Sequence, residues 1–184
     1  MDNKFRLKPE ECAFIIVDIQ EKLMVAMKHR DKVYASHQIL MALAREFEIP
    51  VIKCEQYPRG LGHTVPEVAG ILPNNHFSLE KITFTAYSSD LMAILQGINP
   101  KTILITGTET HVCVFQTTRD LLEAGYNVHV VRDAVCSRFK DNYLSGLQLM
   151  ENMGAVINNT ETIAFDLLQC SGSPEFKAIS PLFK

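Results

Sequence analysis

Short apolar runs alternate along the chain with longer segments whose apolar residues recur at helical spacing. Cys12–Asp18 is the clearest apolar run, and Asp31–Phe47 is the first long amphipathic segment, which Pro50 prevents from continuing. Alternation of this kind is typical of βαβ units, in which helices cover both faces of a parallel sheet. It predicts an α/β protein: a doubly wound, three-layer α/β/α sandwich around a mainly parallel six-stranded sheet.

The remaining elements continue this alternation. Five further strands are predicted at Val51–Cys54, His76–Glu80, Thr102–Thr106, Val128–Arg132 and Ala155–Ile157. Further helices are predicted at Leu91–Leu95 with a start at Ser88, at Val112–Ala124, at Asp141–Met153 and from Thr160 onward. Glycines are expected to end four of these elements, at Gly97, Gly107, Gly125 and Gly154. Residues Tyr57–His63 predict an irregular loop because Pro and Gly interrupt them.

Length and composition favour one domain over residues 1–184, since a chain of 184 residues that is 47% hydrophobic can bury a core. The net charge of −3 is spread without runs of like charge, so we expect no nucleic-acid or membrane partner through electrostatics alone. The N-terminus does not resemble a signal peptide, and no apolar stretch reaches the roughly 20 residues of a membrane span. Five scattered cysteines without CxxC spacing indicate free thiols, and hence a cytoplasmic protein.

Reactive side chains follow three of the predicted strands. Asp18 ends the first, Lys81 follows the third, and the fourth leads through Gly107 to Cys113. Ligands of open parallel sheets bind beyond the carboxyl ends of the strands, which makes these residues candidates for a site. Cys113 also stands at a predicted helix start, where free amides favour a thiolate and can hold an oxyanion, so we expect it to be the cysteine that alkylates fastest. Taken singly, each residue also has an ordinary structural explanation.

The segments around these residues resemble the isochorismatase-like cysteine hydrolases, and most of all the branch of isochorismatase domain-containing proteins. The matching segments are Phe14–Gln20, Cys54–Gly62, Glu80–Phe84, Gly107–Val114 with Thr117 and Arg119, Gly125–Val128 and Val131–Val135. The resemblance implies a triad of Asp18, Lys81 and Cys113 that hydrolyses an amide, ureido or related bond in a small polar substrate. Asp18 would accept the thiol proton, Lys81 would offset the negative charge, and Cys113 would form a covalent intermediate.

The resemblance also implies features around the triad. It implies a non-proline cis peptide between Thr108 and Glu109, with the backbone amides of Glu109 and Cys113 as oxyanion donors. It implies a homo-oligomer. Substrate-pocket candidates on the neighbouring segments are Gln20, Tyr57, Leu61 and Tyr87.

No metal or other cofactor is expected. By the resemblance, nicotinamidases of this family hold a metal through an Asp-x-His pair and a further His after the second strand. This chain has Cys54-Glu-Gln56 at that point, with His63 as the nearby imidazole. One His and one Glu make a poor divalent site.

Three other functions compete with this hypothesis. A cysteine-dependent phosphatase would use the C-x5-R spacing of Cys113 and Arg119, but the residues between them favour a helix over an anion-binding loop. A Rossmann-type nucleotide-binding module shares the architecture, but neither a G-x-G-x-x-G nor a P-loop motif is present. A catalytically inactive scaffold of the same fold stays open, although all three triad residues are present.

Overall fold

The computed structural model describes residues 4–183. The strands are β1 (Cys12–Val17), β2 (Val51–Gln56), β3 (Phe77–Lys81), β4 (Thr102–Thr108), β5 (Asn127–Cys136) and β6 (Val156–Asn158). The longer helices are α2 (Arg30–Glu46), α5 (Ser89–Ile98), α6 (Phe115–Glu123), α7 (Lys140–Asn152) and α8 (Thr160–Leu168). The shorter ones are α1 (Glu21–Met24), α3 (Pro58–Leu61), α4 (Pro66–Ala69) and α9 (Pro174–Ile179). None of the described helices is long and apolar enough to cross a membrane.

The strands form one sheet in the order β3-β2-β1-β4-β5-β6, and every pairing is parallel. The chain therefore winds outward from β1 in one direction and from β4 in the other. The predicted doubly wound six-stranded fold is confirmed. The direction of winding changes between the neighbouring strands β1 and β4. Open parallel sheets bind ligands in the crevice at the carboxyl ends of the two strands at such a point.

Helices cover both faces of the sheet. β1 is buried along its whole length, and its side chains alternate between two apolar clusters, with Phe14 and Ile16 in one and Ile15 and Val17 in the other. Helix α2 contributes to the first cluster, and α5 and α6 to the second. Continuous hydrophobicity in β1 is thus the consequence of burial on both sides. That residues 1–184 form a single domain stays a prediction.

Most predicted elements are present, with differences at their ends. β5 continues to Cys136, four residues beyond its predicted end. Helix α5 runs through Gly97 to Ile98, and Asn99 caps it in a left-handed conformation. The side chain of Asn159, and not Thr160, caps α8 by accepting the amide of Thr162. The predicted loop after β2 contains the short helix α3.

Gly107 lies inside β4 and does not end it. Its φ is +123°, and the pairing of β4 with β5 shifts register between Ile105 and Gly107. A Cβ at this position would overlap the backbone of Val17 on the neighbouring strand. Gly107 is therefore required both for the backbone conformation and for the close approach of β1 and β4 at their carboxyl ends.

We expect Gly107→Ala to lower the free energy of unfolding by about 3 kcal/mol or more, because it adds a backbone clash to an unfavourable φ. Gly97→Ala is the matched control: it lies in α5 with no atom within 4 Å of the added Cβ. That variant should gain roughly 0.5–1 kcal/mol from higher helix propensity. Urea denaturation measures both, and equal stabilities would contradict this account of β1 and β4.

Candidate active site

Three chain segments bring Asp18, Lys81 and Cys113 together at the carboxyl edge of the sheet. Asp18 follows β1 directly, with a left-handed φ of 51°, and its amide and carbonyl are held by Cys54 and Thr108. Lys81 is the last residue of β3. Cys113 lies in a π-helical turn, Thr110–Val114, that leads from β4 into α6.

Asp18 and Lys81 form a buried ion pair. Lys81 Nζ lies 2.6 Å from Asp18 Oδ2, and the side chains are 5% and 0% exposed. The same ammonium group donates to the carbonyl oxygens of Thr83, at 3.2 Å, and Phe84, at 3.1 Å. The charge of Lys81 is thus solvated by the carboxylate and by the loop after β3, as a buried cation requires.

The thiol of Cys113 faces this ion pair. It donates to Gln56 Oε1 at 3.3 Å, and the second carboxylate oxygen of Asp18, Oδ1, is buried without a hydrogen-bond partner within the described residues. Burial raises the pKa of the Cys113 thiol to about 12, and the negative charge of Asp18 adds to this while Lys81 opposes it. The free thiol is therefore neutral near pH 7, which does not support the expectation that Cys113 alkylates fastest.

The Asp18 carboxyl is a stronger base than an exposed aspartate. Burial raises its pKa above the usual range, although the charge and hydrogen bond of Lys81 and the Cys113 thiol pull the pKa down. The carboxylate oxygen Oδ1 of Asp18 is buried without a hydrogen-bond partner among the described residues, and the charge of the carboxylate raises the pKa of the Cys113 thiol. Asp18 thus combines raised basicity with an unoccupied acceptor atom.

The peptide between Thr108 and Glu109 is cis, which confirms the prediction. The segment after it is held at both ends. The Glu109 carbonyl accepts the amides of Val112 and Val114, at 3.0 and 3.3 Å, and its carboxylate accepts the amide and Nε of Arg138. These contacts fix the turn that carries Cys113 against the loop after β5.

Comparisons with known proteins identify the family of this chain. A family model described as the isochorismatase domain matches residues 12–162. Isochorismatase family protein 1B of Dictyostelium discoideum is 37% identical over 183 residues, covering 97% of this chain and 89% of the relative. This chain belongs to the isochorismatase family.

Solved structures of related proteins show the same fold. The isochorismatase-family chain superposes with a TM-score of 0.92 on a structure described as MAR1 ribonuclease from Caenorhabditis elegans, at 37% identity and with 96% and 91% of the two chains covered. YcaC from Pseudomonas aeruginosa gives a TM-score of 0.89 at 25% identity, with coverage of 96% and 91%. The family and its hydrolase fold are therefore shown over nearly the whole chain.

The four pocket candidates occupy different environments in this isochorismatase-family protein. Gln20 is fully buried, and its side-chain amide is bonded to the backbone of Gln56 and Gly62. It therefore positions the loop after β2 and does not form an open wall. Tyr57 is 57% exposed at the start of α3, and Leu61 and Tyr87 are half-buried. These three are accessible to a ligand to different extents.

Two residues near Asp18, Lys81 and Cys113 have no role predicted from the sequence. Gln56 pairs with Lys81 in the β2–β3 ladder, and its Oε1 contacts both Cys113 Sγ and, at 3.5 Å, Lys81 Nζ. Thr117 accepts the amide of Ala86 and donates to the Cys113 carbonyl at 2.7 Å, tying α6 to the loop after β3. A neutral amide at a strand end carries little signal in a single sequence, although Gln56 did fall within a matching segment.

The residues at the position where nicotinamidases hold a metal make structural hydrogen bonds in this chain. Glu55 Oε1 accepts the amide and hydroxyl of Thr64, at 2.7 and 2.6 Å, and the ammonium of Lys53 at 3.1 Å. The exposed ring of His63 lies 3.5 Å from its other oxygen. Within residues 4–183, no three His, Cys, Asp or Glu side chains are grouped as metal ligands.

The hydrogen bonds of Glu55 predict a pH-dependent contribution to stability. Burial alone would raise its pKa, but the bonds from Thr64 and Lys53 lower the pKa to about 2 from an ordinary 4.5. Because the folded pKa is depressed, the stabilisation is complete above 4.5 and is lost as the pH falls toward 2. We expect Glu55→Gln to cost on the order of 2 kcal/mol at pH 7 and progressively less in acid.

The matched control is Glu80→Gln, on the exposed residue paired with Glu55 in the β2–β3 ladder, which should change stability by less than about 0.5 kcal/mol. Denaturant titrations of the wild type and both variants at several pH values measure the difference. A cost for Glu55→Gln that does not change with pH would contradict the assigned ionisation.

Proposed function

We propose that this protein is a cysteine-dependent hydrolase that cleaves an amide, ureido or related bond of a small polar substrate through a covalent Cys113 intermediate. The observation that carries the proposal is the buried Asp18–Lys81 pair beside the Cys113 thiol, with a free carboxylate oxygen. Apolar side chains would stabilise this edge of the sheet better than a buried thiol, carboxylate and ammonium group do. The presence of these three groups together therefore favours a catalytic role.

The first step transfers the thiol proton to Asp18. Its raised pKa makes the carboxylate a suitable acceptor, and Lys81 then stabilises the thiolate once Asp18 has lost its charge. The sulfur forms a bond to the substrate carbonyl carbon while the carbonyl π bond breaks toward oxygen. Because burial and Asp18 keep the resting thiol protonated, this proton transfer is what supplies the thiolate for attack.

The oxyanion of this adduct needs donors already in place. We assign them to the backbone amides of Glu109 and Cys113, in the segment that Arg138 and the Glu109 carbonyl hold in place. Collapse of the adduct breaks the carbon–nitrogen bond, and the leaving nitrogen takes the proton from Asp18. The product is a thioester on Cys113 and a free amine.

Water completes the cycle. Asp18, again ionised, takes a proton from a water molecule as its oxygen bonds to the thioester carbon. The carbon–sulfur bond then breaks, the carboxylic acid leaves, and the thiolate recovers the proton from Asp18. Gln56 accepts the thiol hydrogen bond in the resting state, and we assign it a positioning role for the sulfur.

Two solved structures of related proteins bear on this proposal. The YcaC structure from Pseudomonas aeruginosa is described as containing covalent acrylamide, an electrophile that reacts with thiolates. YcaC from Escherichia coli, 24% identical, is described as an octameric hydrolase of unknown specificity. We extend from these a homo-oligomeric state and a small-molecule substrate to this chain, and retain the cytoplasm as its proposed location.

Three alternatives are weaker. A phosphatase is disfavoured because residues Phe115–Glu123 form a helix and the Arg119 guanidinium lies 2.8 Å from Asp120, its own neighbour. A ribonuclease is the second alternative, because the Caenorhabditis elegans relative is described as one. RNA is therefore included in the substrate panel. An inactive scaffold would not need a buried Asp18–Lys81 ion pair beside a thiol.

The test is a panel of small amides, ureas, vinyl ethers and RNA, assayed with the wild type and with Cys113→Ala. We expect turnover of one amide-like class, a loss of at least about a thousandfold in Cys113→Ala, and a covalent adduct on Cys113 in the wild type by mass spectrometry. Because the pKa of Asp18 is raised, kcat/KM should fall with decreasing pH at values above the ordinary carboxyl range.

Cys54→Ala is the matched control, since Cys54 is equally buried and its pKa is also raised to about 12, yet no step of the mechanism uses it. It should keep at least half of the wild-type rate. Full activity in Cys113→Ala would refute the nucleophile, and cleavage of RNA alone would refute the substrate class.

A further inference from the structure

A cavity of about 570 Å³ lies beyond the carboxyl end of β5. Asp18, Lys81 and Cys113 do not line it. Its walls come from residues 28–33 at the start of α2, from residues 132–137 of β5 and its end, and from residues 138–143 at the start of α7. Buried Val33 and Val135 contribute apolar surface. This volume is in the range of sites that hold small organic ligands.

The cavity wall is strongly basic in a chain whose net charge is −3. Its cationic residues are Lys28, Lys32, Arg132, Arg138 and Lys140, with the imidazole of His29 beside them. The acidic residue that lines it is Asp133, whose Oδ1 already accepts the amide and hydroxyl of Thr160 at 2.9 Å. The positive charge is thus concentrated in a concave surface, where the field is focused.

Among the described residues, four of these cations are without a carboxylate partner. Within residues 4–183 no Asp or Glu oxygen lies within 4.0 Å of the charged groups of Lys28, Lys32, Arg132 or Lys140. In contrast, Lys8, Lys53 and Lys81 all have ion-pair partners. All four side chains are exposed to solvent, and an anion bound among them would reduce the repulsion between their like charges.

The fifth cation is already oriented. Arg138 donates its amide and Nε to Glu109 Oε2, at 3.0 and 3.1 Å, which fixes the guanidinium plane at the cavity wall. The terminal nitrogens of a guanidinium held in this way suit two phosphate oxygens. A phosphoryl group matches this set of donors better than a carboxylate, since it has more charge and more acceptor oxygens.

An aromatic surface accompanies the cations. Phe139 lines the cavity and is 63% exposed, and the half-buried ring of Tyr143 is fixed by its hydroxyl, which donates to the Arg132 carbonyl at 2.8 Å. An exposed phenyl ring next to cationic side chains offers a face on which a nucleobase can stack.

We propose that this cavity binds a nucleoside mono- or diphosphate, with the phosphate among Lys32, Arg132, Arg138 and Lys140 and the base against Phe139. The absence of a Gly-rich phosphate loop is compatible with this, because the donors are side chains and not backbone amides. The site does not depend on Cys113, so the proposal stands apart from the hydrolase proposal.

The test is calorimetric titration of the full chain with ADP, adenosine, pyrophosphate and a single-stranded oligonucleotide. ADP should bind, and adenosine should bind at least about tenfold more weakly, with ADP affinity falling in high salt. The double variant Lys32→Gln/Arg132→Gln should weaken ADP binding at least about tenfold. Phe139→Ala should weaken ADP binding but leave pyrophosphate binding unchanged.

Lys177→Gln is the matched control, since Lys177 is exposed on α9 and does not line the cavity; its ADP affinity should be unchanged. Cys113→Ala should also bind ADP normally, which separates this proposal from the hydrolase. Thermal melting of each variant checks that it is folded.

Several outcomes would overturn the proposal. Failure of ADP to bind at millimolar concentration would do so, as would equal ADP affinity in the double variant and the wild type. Tight binding of the oligonucleotide without binding of ADP would assign the cavity to an RNA strand instead. Dissociation of an oligomer in the double variant, seen by sedimentation with unchanged ADP affinity, would assign these cations to contact between copies of the chain.

Discussion

The buried contact between Asp18 and Lys81 is the interaction on which the candidate active site depends. Neither charge could be buried alone, and together they join β1 to β3 across the intervening β2. The loop after β3 completes the solvation of the ammonium group through the carbonyls of Thr83 and Phe84. Removal of either partner would leave an uncompensated charge at the same edge of the sheet that carries Cys113.

This ion pair also determines how the thiol behaves. A carboxylate beside a buried sulfur keeps the thiol protonated, while the neighbouring ammonium makes transfer of the proton to that carboxylate possible. The resting thiol is therefore neutral, and in the proposed mechanism the nucleophile forms by proton transfer to Asp18 when substrate is bound. Gly107 permits the close approach of β1 and β4, and this approach brings Asp18 near the turn that carries Cys113.

The sequence predicts much of this arrangement for clear physical reasons. β1 and β4 are buried on both faces, so their apolar runs are continuous, whereas β3 is an edge strand with mostly exposed side chains and gives a faint pattern. Asp18, Lys81 and Cys113 are visible in the sequence because each lies at or beyond the carboxyl end of a predicted strand, although β3 in the structure includes Lys81. The raised pKa of Cys113 was not predictable, because a helix start favours a thiolate whereas burial beside Asp18 opposes it, and burial is a property of the fold.

Other features depend on contacts between distant segments. Gln56 reaches Cys113 only through the register of β2 with β3, and a lone amide gives no chemical signal. The cations that line the basic cavity are spread along the chain between residues 28 and 140. The sequence therefore contains no run of positive charge that would predict the cavity. Gly107 resembled a strand end because glycine usually interrupts strands, but here it lies within β4 at a shift in register.

The most direct test of the central claim is the ionisation of Cys113, measured by thiolate absorbance as the difference between each protein and its Cys113→Ser counterpart. The account expects a neutral thiol near pH 7 in the wild type. In Asp18→Asn the pKa of the thiol should be lower, because a negative charge is gone, yet turnover should be lost with the base. An unchanged thiol pKa in Asp18→Asn, or turnover that survives this substitution, would contradict the account.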